Sequence, residues 1–444
     1  MAETEPGRVC IVGAGSSGIA TCQVLRARGI PFDCFEKGSG VGGNWRYMND
    51  NGMSSAYRSL FINTSRNLMA YRSYPMPAEL PDYPHHTQIA RYFDEYVDHF
   101  GFRDDIRFRT EVVRVEPADG AWDVTLDDGS TTRYAVVFVA NGHHWDPRDP
   151  DFPGEFVGEA IHSHHYKVPD GYQDRNVLVV GFGNSATDIA CETSRVSRMT
   201  YLAVRRGAHV IPKYIKGRPV DELGSPAMSR LPMAIQRWSY KRLLKTVQGE
   251  MEDYGLPKPD HKLAEAHPTI SAELLDRIGH GRVTPKPNVE RLMGDRVRFV
   301  DGSEEEIDRI VYATGYRITF PFLSPDLIGD TTDNRIPLFR RVVPPDLRGL
   351  YFIGLLQPLG AIMPLAEAQS EWIADVLEGK ATLPSPAQMK REIEREDRRM
   401  RKRYVRSPRH TIQVDFYPYM RQVERERRRG RRGPDPALAL KSES

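Results

Sequence analysis

Two glycine turns constrain this chain more than any other feature. Arg8-Val9-Cys10-Ile11-Val12 runs into Gly13-Ala14-Gly15-Ser16-Ser17-Gly18, and Asn176-Val177-Leu178-Val179-Val180 runs into Gly181-Phe182-Gly183-Asn184-Ser185-Ala186. Each opens as a short apolar run, the pattern of a strand buried in a parallel sheet. Each then leads into a helical stretch, Ser17 to Arg28 closed by Gly29 in the first case and Thr187 to Thr193 in the second. In a G-x-G-x-x-G turn the first glycine permits a tight bend, the second lets the backbone approach a pyrophosphate, and the third lets helix and strand pack closely. The N–H groups at the helix start then hold phosphate. Ala186 in the third position is an allowed variant.

The residues that follow each turn distinguish the two. Pro31 to Phe35 forms a second apolar run, and Glu36 stands at its end, where a carboxylate accepts hydrogen bonds from both ribose hydroxyls of a dinucleotide. After the second turn the strand Met199 to Val204 ends instead among Ala203, Val204, Arg205 and Arg206. A carboxylate there would repel a 2′-phosphate, whereas a guanidinium pairs with it bidentately, so this turn suits NADPH. Two arginines solvated after a strand are the alternative reading. Both units close alike, with the strand Tyr134 to Val139 entering Ala140-Asn141-Gly142-His143 and Asp308 to Tyr312 entering Ala313-Thr314-Gly315-Tyr316. Gly13 to Gly142 spans 129 positions and Gly181 to Gly315 spans 134. The expected fold class is therefore α/β, with two Rossmann-like dinucleotide-binding domains in tandem.

A length of 444 residues is consistent with two or three domains. No run approaches the roughly 18 apolar residues of a membrane span, and the acidic MAETEPGR lacks the features of a signal peptide, so a cytoplasmic protein is expected. The four cysteines, Cys10, Cys22, Cys34 and Cys191, form no CxxC pair and no metal spacing, and read as small packing residues. His162, His164 and His165 lack a carboxylate partner at ligand spacing, so no metal is expected. Formal charge is +2 overall, yet Met389 to Gly433 carries 17 Lys and Arg against seven Asp and Glu, a basic arm on an acidic body. Interleaved glutamates and apolar positions such as Ile393, Met400, Val405 and Phe416 make most of that arm a C-terminal helix packed on the first domain. Arg425 to Arg432 is left as a basic tail.

Two folds for two dinucleotides in one chain suggest an enzyme that passes hydride from NADPH to FAD. The missing dithiol removes the disulfide reductases. Between the two units, Phe156-Val157-Gly158-Glu159-Ala160-Ile161-His162-Ser163-His164-His165-Tyr166 fits FxGxxxHxxxY, and on that pattern the chain resembles the flavin-containing monooxygenases. The resemblance extends to Glu36-Lys37, Gly42-Gly43-Asn44-Trp45, Asn63-Thr64-Ser65, Arg205-Arg206-Gly207-Ala208, Ala313-Thr314-Gly315-Tyr316 and Phe352-Ile353-Gly354-Leu355 with Gln357. It runs from about Val9 to Trp372 and is closer to soluble bacterial members. Asn141 departs from it, standing where the family often has Thr.

The resemblance implies an NADPH- and dioxygen-dependent oxygenation of a soft nucleophile, an amine nitrogen or sulfur, through a peroxyflavin shielded by bound NADP. It implies FAD contacts at Gly13, Ala14, Gly15, Ser16, Ser17 and Gly18, with Glu36, Lys37, Gly43, Asn44, Trp45 and Gln357. It implies NADPH contacts at Gly181, Gly183, Asn184, Ser185, Ala186, Thr187 and Asp188, with Arg205 and Arg206. Ile62, Asn63 and Thr64 belong beside the flavin ring, where the Asn63 amide both donates and accepts without supplying a proton. The expected domains are 1–166 for FAD, 167–316 for NADPH with an insertion near 211–280, and 317–444 returning to the FAD domain. Expected partners are a small-molecule substrate and dioxygen, with no nucleic acid and no membrane; a homodimer is left open, as is the role of the insertion. Tyr166 stands where the Baeyer-Villiger relatives usually have Trp. Baeyer-Villiger oxygenation of ketones nevertheless remains the alternative, followed by electron donation to a partner protein.

Overall fold

The computed structural model describes residues 3–4, 7–224, 230–329, 331, 333–404 and 411–430. The chain forms two compact units. The first comprises Met1–Ser54, Thr64–Asp146 and Arg317–Ser444, and the second Ser55–Asn63 and Pro147–Tyr316.

The first unit is built on a five-stranded parallel sheet. Its order is Leu350–Phe352, Val136–Val139, Val9–Val12, Phe32–Glu36, Ile106–Phe108. Val9–Val12 lies at the centre, pairing Val12 with Phe35 on one side and Val139 on the other. The three inner strands are buried at every residue, as the apolar runs require of a parallel sheet covered on both faces. The helix Ser16–Ala27 packs along Met363–Leu377, where Thr21 and Ser370 hydroxyls meet at 3.0 Å. An antiparallel sheet, Val112–Ala118, Ala121–Leu126 and Thr131–Tyr134, adds the alternating burial of a sheet with one wet face.

The apolar run Tyr134 to Val139 is not one strand. Tyr134 ends the antiparallel strand and sends its hydroxyl to Asp33 Oδ2 at 2.9 Å, while Val136 begins the parallel one. The chain changes sheets at Ala135, and an unbroken hydrophobic pattern carries no mark of that change. The basic arm also differs from expectation. It forms two helices, Pro386–Arg403 and Phe416–Arg427, the first opened by a capping box of Ser385 and Gln388. Arg427, expected in a basic tail, ends the second helix and pairs with Glu371 and with Asp375 at 2.7 Å. Buried Glu426 accepts from Arg340 at 3.0 Å. The acidic partners lie far away in sequence, which is why a local charge count misreads this stretch. Val405, Arg431 and Arg432 lie outside the described residues.

The second unit repeats the plan. Its parallel sheet runs Glu159–His162, Arg309–Tyr312, Asn176–Val180, Met199–Ala203, Val283–Lys286. Again the strand before the glycine turn is central, flanked by the next strand and by the strand that ends in Ala-x-Gly. The helix Asn184–Thr193 follows the turn. Between Val204 and Val283 the insertion contributes a short parallel pair, Val210–Ile211 with Thr269–Ile270, and the helix Met233–Gln248. All four cysteines are free and buried.

Candidate functional site

In the first unit Gly13 has φ 95°, and a Cβ there would sit 2.9 Å from the Ala140 carbonyl oxygen. A Cβ on Gly18 would fall 1.8 Å from the Gly13 oxygen, so strand and helix approach closer than any other residue permits. Gly15 differs from both. It is the N-cap, with ordinary extended dihedrals, and its Cβ would meet Gly43 Cα at 3.8 Å, a normal contact. The protein therefore does not itself demand glycine at Gly15, and its absent side chain leaves room for a group to approach the helix start. No side chain caps that helix. Its first N–H groups, at Ser16, Ser17 and Gly18, thus form a cradle that fits a pyrophosphate.

Glu36 completes the cradle. It is buried, and Oε2 accepts from the Ala14 N–H at 2.8 Å while Oε1 accepts from the Gly38 N–H at 2.8 Å and from Asn51 Nδ2 at 3.1 Å. Three donors fix a charge that would otherwise be costly to bury, and they hold it against the turn where a ribose would lie. The Gly43–Trp45 turn joins the same place: the Gly42 N–H donates to the Ala14 carbonyl at 3.0 Å, and a Cβ on Gly43 would lie 3.1 Å from Gly15 Cα. The Asn44 carbonyl is fixed by Ser54 Oγ at 2.8 Å, and the Trp45 N–H by the Gly42 carbonyl. Lys37 forms an exposed pair with Glu111 at 2.9 Å. Gln357 begins a strand paired with Gln413–Asp415, and Thr64 is half-buried. Gly354, with φ 75°, comes so near the helix start that a Cβ would strike Ser17 Oγ at 1.9 Å. Its place in the Phe352-Ile353-Gly354-Leu355 motif was the one sequence signal for it. Asn141 Nδ2 donates to the Thr319 carbonyl at 3.2 Å, and its counterpart Thr314 donates to the Arg148 carbonyl at 2.6 Å. The departure at Asn141 thus preserves the role of tying down the turn.

In the second unit Gly181 has φ 130°, with a Cβ position 2.4 Å from the Ala313 oxygen. Gly183 is an N-cap without a side-chain cap, so the helix start at Asn184 and Ser185 again presents N–H groups, and Ala186 is buried behind them. Several side chains here already have protein partners. Asn184 Oδ1 accepts from the Ile270 N–H at 2.8 Å and Thr187 Oγ1 donates to the Asn184 carbonyl at 2.9 Å. Asp188 Oδ2 accepts from the Tyr57 hydroxyl at 2.6 Å. Arg205 is exposed, whereas Arg206 is clasped by Asp260 of the insertion, Nη2 to Oδ2 at 2.7 Å and Nε at 2.9 Å. Ile62 and Asn63 group with this unit, in the segment Ser55–Asn63. Tyr57, Lys213 and Asp260 were invisible as site residues, because nothing local marks a partner far away in sequence.

A family model described as flavin-binding monooxygenase-like matches residues 6–428. Flavin-containing monooxygenase 5 of Rattus norvegicus is 37% identical over 440 residues, covering 94% of this chain and 82% of its own. Dimethylaniline monooxygenase (N-oxide-forming) 2 of the same organism is 33% identical over 442 residues, with the same coverage of 94% and 82%. Among solved structures, S-allyl-L-cysteine S-oxygenase from Allium sativum superposes with a TM-score of 0.72 at 26% identity, covering 95% of this chain and 89% of its own. Cyclohexanone monooxygenase from Rhodococcus sp. Phi1, at 18% identity and a TM-score of 0.69, covers 96% of this chain and 97% of its own and shares the fold.

Proposed function

The chain belongs to the flavin-binding monooxygenase-like family, and we propose on that footing that its first unit holds FAD, its second holds NADPH, and its product is an N- or S-oxygenated small molecule. It is a flavin-containing monooxygenase that uses FAD, NADPH and dioxygen. The observation that carries the cofactor assignment is the pair of uncapped helix starts behind glycine turns, of which Gly15 has no steric need of its own to be glycine.

Bound flavin supplies the activation of dioxygen, with electrons from NADPH. The protein binds and orients. Backbone N–H groups from Ser16 to Gly18 and at Asn184 and Ser185 hold pyrophosphates, and the two Glu36 oxygens accept from ribose hydroxyls. Arg205 and Arg206 pair with the 2′-phosphate. Asn63 presents an amide that donates and accepts without releasing a proton, which favours transfer of oxygen over its loss as peroxide. Gly43, Asn44, Trp45, Thr64 and Gln357 line the flavin side in this reading.

An amine or sulfur substrate is supported by the names of the relatives and by Tyr166, which ends the identifying pattern and donates to Glu192 Oε2 at 2.9 Å. No helix among the described residues is long and apolar enough to cross a membrane. Four free thiols support a reducing, cytoplasmic setting. Ile235 and Trp238, 50% and 64% exposed on the insertion helix, support a homodimer through that surface. The decisive experiment supplies purified enzyme with NADPH and a tertiary amine, a thioether and a cyclic ketone, quantifying product and peroxide. N-oxide or sulfoxide is expected, and ester from the ketone alone would move the assignment to Baeyer-Villiger chemistry. Asn63→Leu should keep its FAD while product per NADPH falls.

A further inference from the structure

The segment Ser55–Asn63 is held to its unit by polar bonds along its length. Near its start Lys167 Nζ donates to the Ala56 carbonyl at 3.1 Å, and the Arg58 N–H donates to the Lys167 carbonyl at 2.9 Å. Tyr57 is buried, edge-on to Tyr166 with ring centres 6.2 Å apart, and its hydroxyl reaches Asp188. At the far end Lys213 Nζ donates to the Ile62 carbonyl at 3.2 Å and lies 5.9 Å from the centre of the Phe61 ring. Ile62 is fully buried, and Asn63 follows at once.

Asp188 sits on the helix that opens from the second glycine turn, so the anchor and the cradle share one rigid element. Burial pushes its carboxyl up to about 6, against the Tyr57 hydrogen bond and the Lys213 charge, which pull it down; Glu192 and Glu273 add to the rise. Burial and the neighbouring Asp188 raise the Tyr57 phenol, which keeps the proton on the tyrosine oxygen and makes it the donor. Burial lowers Lys213, and Asp188 opposes that loss of charge. A strap anchored this way cannot slip by a residue: one step along a chain is about 3.8 Å, beyond the tolerance of a hydrogen bond.

We propose that Asp188, acting through Tyr57, and Lys213, acting through the Ile62 carbonyl, are positioning residues that fix the strap Ser55–Asn63 against the helix Asn184–Thr193 and thereby set where the Asn63 amide is presented. Asp188 is then a strap anchor rather than a cofactor contact. The inference rests on the role given to Asn63 above.

The test uses full-length holoenzyme carrying Tyr57→Phe, Asp188→Ala, Asp188→Asn or Lys213→Met, read by hydrogen exchange and by product and peroxide formed per NADPH. Tyr57→Phe, Asp188→Ala and Lys213→Met should speed exchange of the strap amides roughly fivefold, the factor expected for one lost hydrogen bond. The strand Asn176–Val180 should exchange as in the parent. In the same variants peroxide should rise at the expense of product, with little change in the KM for NADPH. Asp188→Asn keeps an acceptor for Tyr57 and should restore both readouts. Parental exchange and coupling in Tyr57→Phe and Asp188→Ala would overturn the proposal, as would acceleration spread equally over Asn176–Val180. Exchange is read without turnover. A parent that forms no oxygenated product therefore sinks the oxygenase reading alone.

Discussion

At the first glycine turn a Cβ on Gly18 would fall 1.8 Å from the Gly13 carbonyl oxygen, whereas the corresponding position of the second turn carries the Ala186 methyl, 3.6 Å from where a Cβ on Gly181 would stand. The surroundings differ in the same sense. Glu36 is buried among three N–H donors from its own unit, while Arg206 is 41% exposed and paired with Asp260, itself 49% exposed. A buried, fully bonded charge is held rigidly, and an exposed ion pair exchanges partners at little expense. One backbone plan thus yields a fixed cradle in the first unit and a yielding one in the second.

The sharpest way to break that comparison is to exchange the third residue of each turn. Gly18→Ala places a methyl against backbone, so no side chain can yield and the helix must move, at a cost of about 1–3 kcal/mol or more. The variant should elute from gel filtration without the visible absorbance of flavin. Ala186→Gly loses helix propensity, about 1 kcal/mol, and the burial of one methyl, about 0.8 kcal/mol, with the KM for NADPH within about threefold of the parent. Flavin retained by Gly18→Ala would show that the first turn is no tighter than the second.

Next in size is Glu36→Ala. It strips the buried Ala14 and Gly38 N–H groups, and the half-buried Asn51 amide, of their common acceptor, and each of the two buried orphans costs about 1–3 kcal/mol. FAD affinity measured by equilibrium dialysis should fall at least tenfold. Glu36→Gln, which keeps one acceptor, should fall between.

These variants probe features legible in the sequence for a physical reason. Strands such as Val9–Val12 and Asn176–Val180 are buried on both faces, so their apolar runs and the glycines after them carry the fold locally. What was not legible depends on partners distant in the chain. Tyr57 finds Asp188 across 131 positions, Arg206 finds Asp260 across 54, and Arg427 finds Asp375 across 52. Ala135 hides a change of sheet inside one apolar run for the same reason. Charges and hydroxyls are read correctly by type, but only the folded chain says which are already engaged.

Arg205 and Arg206 test the yielding cradle. Their joint replacement by Ala removes charge-assisted hydrogen bonds worth about 1.5–3 kcal/mol from a 2′-phosphate that NADH lacks. The KM for NADPH should rise about tenfold or more, while that for NADH changes less than about twofold. Equal effects on both nucleotides would mean that these arginines are solvated residues after a strand.

Asp260→Asn is the smallest and most discriminating change. Asp260 takes one edge of Arg206, Nη2 and Nε, at 2.7 and 2.9 Å, and the neighbouring backbone holds it in reach, since a Cβ on Gly207 would lie 2.3 Å from the Pro257 carbonyl oxygen. A 2′-phosphate that pairs with that edge must displace the carboxylate. An exposed pair of this kind is worth about 0.2–1 kcal/mol, so freeing Arg206 should tighten NADPH at most about fivefold. NADH should be unaffected, and the gain should shrink in about 1 M salt, where screening already weakens the pair. Weaker NADPH binding in Asp260→Asn would invert the argument: Asp260 would then hold Arg206 in the geometry the phosphate requires, and the second cradle would be as preformed as the first.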